Sequence, residues 1–254
     1  MKQIYGALIN GIKEYFRKNK FGKAVIGLSG GIDSALSAKL VADAIGKENV
    51  TTLIMPVKGL SSEENIMDAV ELCTLNGVDY SLIYIDEFIK EFEKVDWEQS
   101  KVAKMNTISR VRAVILYSYA NSNNALVIGT SNKTEILLGY FTKYGDGAVD
   151  IEVIGDLFKT EVKELAKFLG ISEKIINKVP TAELYPGQTD EGELGASYDK
   201  LDAILRLYIE EKNSINTIIK KGFNKKIVEN IIERMKSNEH KRTMPMILRV
   251  KEQP

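Results

Sequence analysis

The chain has 254 residues, 44% hydrophobic and 28% charged, the composition of an ordinary soluble globular protein and enough length for one large α/β domain. Lysine plus arginine and aspartate plus glutamate each number 35, so no net field draws the protein to nucleic acid or to an anionic membrane, and neither is expected as a partner. A single cysteine excludes a disulfide framework and a cysteine-rich zinc site, and no apolar run reaches the roughly 18 residues of a membrane-spanning helix, so a cytoplasmic protein is expected.

In chain order, Ile4, Leu8, Ile12 and Phe16 recur at i, i+4 and predict an amphipathic opening helix. Short apolar or β-branched runs predict strands over 24–28, 50–56, 80–85 and 125–129, with helices near 34–46, 62–76 and 99–122 between them. This alternation predicts an α/β fold: a doubly wound, mostly parallel sheet with helices on both faces. In such sheets ligands bind outside the carboxyl ends of the strands. Cys73 sits with Ile66, Ala69 and Val70 at helical spacing and reads as a small core residue. The stretches Gly139–Gly155 and Pro180–Gly195 lack periodicity and read as binding loops, the second as a lid, although its acidic residues also suit a solvated surface. Helical patterns return near 160–169, 198–211, 214–220 and 224–237. No repeat or linker divides the chain, so residues 1–254 are taken as a single domain.

The most informative segment is Gly27-Leu28-Ser29-Gly30-Gly31-Ile32-Asp33-Ser34, which follows an apolar strand and opens a helix. Two glycines let the backbone approach a ligand, and N–H groups at a helix start suit phosphate. A carboxylate inside a phosphate cradle needs a cation between them, so Asp33 points to Mg²⁺. As part of a ligand loop, Asp33 is expected to tolerate replacement by asparagine without loss of fold. The segment is not the lysine-closed P-loop; it resembles the Ser-Gly-Gly-x-Asp-Ser signature of the ATP pyrophosphatases. A second strand end, Leu126 to Glu135, leads into Gly139-Tyr140-Phe141-Thr142-Lys143-Tyr144-Gly145-Asp146-Gly147. Its hydroxyl, carboxylate and lysine suit nucleotide and metal contacts, while Glu135 alone reads equally well as a solvated helix residue.

Taken in order, GLSGGIDS, NTISRVR (106–112), VIGTSNKTE, GYFTKYGDG, DLFKTEV, KVPTAEL, PGQTDEGELGASYDKLD and EHKRTMP resemble the ammonia-dependent NAD synthetases over residues 27–245. Leu28, Ile32 and Ser131 stand at positions that vary in the family, and neither a glutaminase domain nor a glutaminase cysteine accompanies the motifs. The resemblance implies a Rossmann-like, adenine nucleotide alpha hydrolase-like fold, a homodimer, and a two-step ligation. The nicotinate carboxylate of deamido-NAD attacks ATP to give an acyl-adenylate, which ammonia converts to NAD and AMP.

The same resemblance implies that Gly27, Leu28, Ser29, Gly30, Gly31, Ile32, Asp33 and Ser34, with Thr130, Lys159 and Thr181, contact ATP. It implies Asp33 and Glu135 as Mg²⁺ ligands, and Arg110, Lys143, Asp150, His240 and Lys241 as contacts of deamido-NAD. Asp33 and Lys159 are the expected catalytic residues. Read without the family, Lys159 at a helix start, Arg110 on a long helix and His240-Lys241-Arg242 near the end are solvated charges. Two competing readings are another adenylating pyrophosphatase and a non-catalytic adenine-nucleotide sensor on the same fold. The missing cysteine pair and the neutral charge disfavour a tRNA-thiolating enzyme.

Overall fold

The strand that delivers the glycine loop, β1 (Lys23–Gly27), lies at the centre of a five-stranded parallel sheet. The computed structural model describes residues 1–248 and residue 250. From β1 the chain steps outward to β2 (Val50–Ile54) and β3 (Asp79–Leu82). It then crosses back to β4 (Ala125–Gly129) and β5 (Ile151–Glu152), giving the order β3-β2-β1-β4-β5. The winding direction reverses between β1 and β4, which makes the crevice above those two strands the topological switch point. Ala24 registers against Val50 on one side and Leu126 on the other, so the three central strands end level.

Alternation along β1 feeds both faces. Ala24 and Ile26 pack with α1 (Lys2–Asn19), α2 (Ile32–Ile45), α3 (Glu63–Asn76), α7 (Lys159–Phe168) and α8 (Glu173–Ile176), while Val25 packs on the other side with Leu53, Val127 and α5 (Lys101–Asn123). The short α4 (Asp86–Phe92) joins that second layer. A third apolar cluster unites α6 (Lys133–Leu138) with α10 (Tyr198–Leu205), α11 (Ile215–Lys220) and α12 (Lys225–Ser237); α9 (Asp190–Leu194) docks on it through Leu194. Among the described residues no helix is long and apolar enough to cross a membrane.

The four expected strands are present. The run at 50–56 stops at Ile54, because Pro56 has no N–H for the ladder. The helix expected over 198–211 is α-helical only to Leu205 and widens into a π-helical turn over Arg206–Glu210. The fifth strand falls inside the aperiodic 139–155 stretch, since two residues are too few to show a period. Two carboxylates flank its pairing with β4: Asp150 Oδ2 accepts from Val127 N–H (2.7 Å), and Glu152 Oε2 accepts from Ser131 N–H (3.0 Å).

Burial pushes the Glu152 carboxyl up to about 8; the Ser131 N–H bond opposes this and Asp146 adds to it. The folded protein therefore holds a proton that the unfolded chain has lost between the ordinary carboxylate range and about 8, and stability falls as pH rises through that window. Glu152→Gln removes this term. Its thermal midpoint relative to the parent should rise steadily from pH 5 to above pH 8 in a pH series of melts; a constant difference would show that Glu152 is ionised throughout.

Candidate active site

The glycine loop is shaped by its own serines. Ser34 Oγ accepts from Ser29 N–H (3.2 Å), donates to the Gly31 carbonyl (3.1 Å) and lies 3.1 Å from Ser29 Oγ, while Ser29 Oγ accepts from Gly31 N–H (3.3 Å). Gly30 has φ +80°, and a Cβ there would collide with the Asn65 carbonyl of α3, so only glycine fits. Gly31 gives α2 no side-chain cap, which leaves the first N–H groups of α2 facing the crevice at the positive end of the helix.

Opposite the loop, a capping box at the start of α6 fixes Glu135. Asn132 Oδ1 accepts from Glu135 N–H (3.0 Å), and Glu135 Oε2 accepts from Asn132 N–H (3.2 Å). The free Asn132 amide donates to Asp33 Oδ1 at 2.9 Å, tying the β1 and β4 loops together. Lys159 completes the cluster. Far from being solvated, it is only 1% exposed; its ammonium bonds Asp33, lies 3.5 Å from Glu135 Oε1 and sits 5.0 Å from the centre of the Tyr198 ring. Its backbone N–H donates to Thr134 Oγ1 (3.1 Å), and buried Asp202 accepts from the next N–H, that of Thr160 (2.8 Å).

The electrostatics follow from this crowding. Burial and the Asp33 charge raise the Glu135 carboxyl to about 8, with Lys159 opposing. Burial works against the Lys159 ammonium, but Asp33 and Glu135 outweigh it and hold the group above the usual lysine range. Asp190 and Tyr198 stand behind the cluster: the Tyr198 hydroxyl donates to Asp190 Oδ2 at 2.9 Å and lies 3.4 Å from Glu135 Oε1.

Gly27, Leu28, Ser29, Gly31, Ile32, Asp33, Ser34, Thr130, Glu135, Lys159, Thr181 and Lys241 all line one cleft above the switch point. The expected lid crosses this cleft. Glu183 accepts from Ser62 N–H (3.1 Å) at the start of α3, and Lys101 lies 3.2 Å from the Tyr185 ring centre. Lys178, just before the lid, bonds Asp68 and the Asn65 side chain.

The remaining motif residues gather elsewhere. Arg110 donates to the Lys143 carbonyl (3.3 Å), and the Lys143 ammonium bonds the His240 carbonyl, so these three form an exposed group on the rim. The Lys241 ammonium reaches the carbonyls of Gly139 (2.8 Å) and Phe141 (3.1 Å). The Asp150 carboxylate is occupied by Val127 N–H and, at 3.4 Å, the Tyr117 hydroxyl. Sequence reasoning missed Asn132, Asp190, Tyr198 and Arg112. The Asn132-x-x-Glu135 spacing was a visible capping-box signal; Asp190 and Tyr198 carry no local signal, because only tertiary packing brings them to Lys159.

A Rossmann-like sheet, with a glycine loop and a carboxylate–lysine cluster at its switch point, is the architecture of a nucleotide-binding α/β protein. The NAD synthase family model matches residues 4–245, and the chain belongs to that family. The NH(3)-dependent NAD(+) synthetase of Fusobacterium nucleatum is 41% identical over 99% of this chain and 97% of its own. Among solved structures, the NH3-dependent NAD synthetase of Campylobacter jejuni superposes with a TM-score of 0.83 at 34% identity, covering 98% of each chain. An NMN synthetase from Francisella tularensis gives 0.86 at 33%, covering 97% of this chain and 98% of that one.

The pairing of Asp33 with a buried ammonium gives its replacement a cost in stability even where the fold is kept. Asp33→Asn leaves Lys159 with Glu135 as its remaining close carboxylate, and should cost on the order of 2 kcal/mol in denaturant unfolding without ligand. Unchanged stability would mean that Lys159 is satisfied by other groups.

Proposed function

We propose that the chain is an ATP-dependent ligase that amidates deamido-NAD with ammonia, releasing NAD, AMP and pyrophosphate. Membership of the NAD synthase family over residues 4–245 carries the reading. The convergence of Asp33, Glu135 and Lys159 at the glycine loop supports it chemically.

A carboxylate is a poor acyl donor, and adenylation gives it a good leaving group. In the first step a nicotinate oxygen bonds to the α-phosphorus of ATP while the bond to the β-phosphate breaks. The glycine-loop N–H groups and Lys159, which line the cleft, take up the charge of the departing pyrophosphate. In the second step ammonia bonds to the activated carbonyl, AMP leaves and the nitrogen sheds a proton. The lid residues over the cleft serve to keep water from the adenylate.

The donor set fits Mg²⁺. Two carboxylates converge, and Glu135, raised to about 8 by burial and Asp33, would regain its charge beside a divalent cation. Mg²⁺ is usually held by one or two carboxylates plus substrate phosphates. Mg²⁺ on Asp33 and Glu135 would supply charge neutralisation for pyrophosphate.

Thr130 and Thr181 serve the ATP end of the cleft. Arg110, Lys143, Asp150, His240 and Lys241 serve deamido-NAD, whose phosphates match the cations of Arg110, Lys143 and Lys241. Because Arg110, Lys143 and His240 lie on an exposed rim, this half of the site is completed by a second copy in a homodimer. Exposed Val102 and Val114 on α5 supply apolar surface for that contact.

Incubation with ATP, Mg²⁺, ammonium and deamido-NAD should yield NAD, AMP and pyrophosphate in equal amounts, with glutamine a poor substitute for ammonium. Nicotinate mononucleotide in place of the dinucleotide should react more slowly. Preference for the mononucleotide would move the reading to the activity named for the Francisella relative, and hydrolysis of ATP without amide formation would refute it.

A further inference from the structure

The α5 wall of the cleft carries a cation that no motif assignment uses. Met105, Ser109, Arg112 and Leu116 recur at helical spacing and line the cleft, whereas Arg110 points to the rim. Leu116 belongs to the floor, where its methyl group stands 3.6 Å from the position of a Cβ on Gly27. As the crossover between parallel strands, α5 runs back against them, so each turn toward its amino end climbs about 5.4 Å out of the crevice. Arg112 stands one such turn above the floor.

One bond fixes the guanidinium: Nε donates to the Met55 carbonyl at the end of β2, at 3.1 Å. Its two terminal nitrogens bond no described residue. Burial lowers the pKa of Arg112 against the pull of Asp146 and Glu183, yet arginine remains charged. Neither carboxylate hydrogen-bonds the guanidinium. Asp146 Oδ1 accepts from Ser109 Oγ (2.6 Å) and Thr142 N–H (2.9 Å), and Glu183 accepts from Ser62 N–H. A half-buried fork of N–H donors that faces the cleft and hydrogen-bonds no carboxylate suits a ligand that brings its own charge.

Position selects the ligand group. The floor beside Arg112 is apolar, formed by Leu53, Met55 and Leu116, and suits a nucleoside base. The glycine loop with Asp33 and Lys159 takes the terminal phosphates. The group that joins base and ribose to those phosphates is the α-phosphoryl. We propose that Arg112 is a binding residue for the α-phosphate of the adenylate moiety, in ATP before the reaction and in the acyl-adenylate after it. This rests on the ATP-dependent reading above.

Calorimetric titration of the full chain with AMP and, separately, with adenosine tests it. Arg112→Gln should weaken AMP binding by about tenfold or more, the loss of a charge-assisted bond, and leave adenosine affinity within about twofold. Arg112→Lys, which keeps the charge but not the fork, should fall between parent and Arg112→Gln. Equal losses for both ligands, or unchanged AMP binding, would overturn the assignment. If Arg112→Gln does not fold, Arg112→Lys decides: AMP weakened by about threefold with adenosine unchanged supports it, and unchanged AMP refutes it. An unmodified chain that binds AMP through Arg112 but forms no NAD would refute the ligase reading and leave this inference standing.

Discussion

A lysine ammonium with 1% of its residue surface exposed must find opposite charge inside the protein, and at Lys159 that need organises the site. Asp33 comes from the loop after β1, Glu135 from the turn after β4, and Lys159 from the start of α7. Without the cation, two half-buried carboxylates would repel across the crevice. Without the carboxylates, the cation would be stranded. Asn132 adds a direct bond between the two loops. The arrangement stabilises little by itself, since desolvation offsets most of the Coulomb gain. Its consequence is geometric: three segments distant in sequence are held in one place.

The sheet order explains why those segments can meet. Reversal of winding between β1 and β4 opens a crevice at the ends of these strands, where both loops emerge. The glycine loop supplies N–H donors, the β4 turn supplies Glu135, and α5 walls one side. The C-terminal helices add the other boundary through Tyr198 and Asp190. Each wall comes from a different layer, so the cleft depends on the whole domain.

Much of this was legible locally. Apolar runs of about five residues marked β1, β2 and β4, and the glycine spacing marked the loop between β1 and α2, because strand period and backbone freedom are properties of neighbouring residues. What was not legible depends on packing. Lys159 reads as a solvated charge from its neighbours; only the fold turns it inward. Two-residue β5 has no period to detect. Arg110 and Arg112 are two positions apart on one helix, and their opposite orientations follow from which face of α5 meets the sheet. Asp150 shows the same limit from another side, since its carboxylate is occupied by Val127 N–H and Tyr117.

A single chemical event, the joining of a carboxylate oxygen to the α-phosphorus of ATP, underlies the proposed reaction. Deamido-NAD labelled with ¹⁸O in its nicotinate carboxylate, turned over with ammonium and ATP, tests it by mass spectrometry of the products. One labelled oxygen should appear in each AMP and none in pyrophosphate. Label in pyrophosphate or inorganic phosphate, or AMP without label, would contradict adenylation and with it the role given to the Asp33, Glu135 and Lys159 cluster.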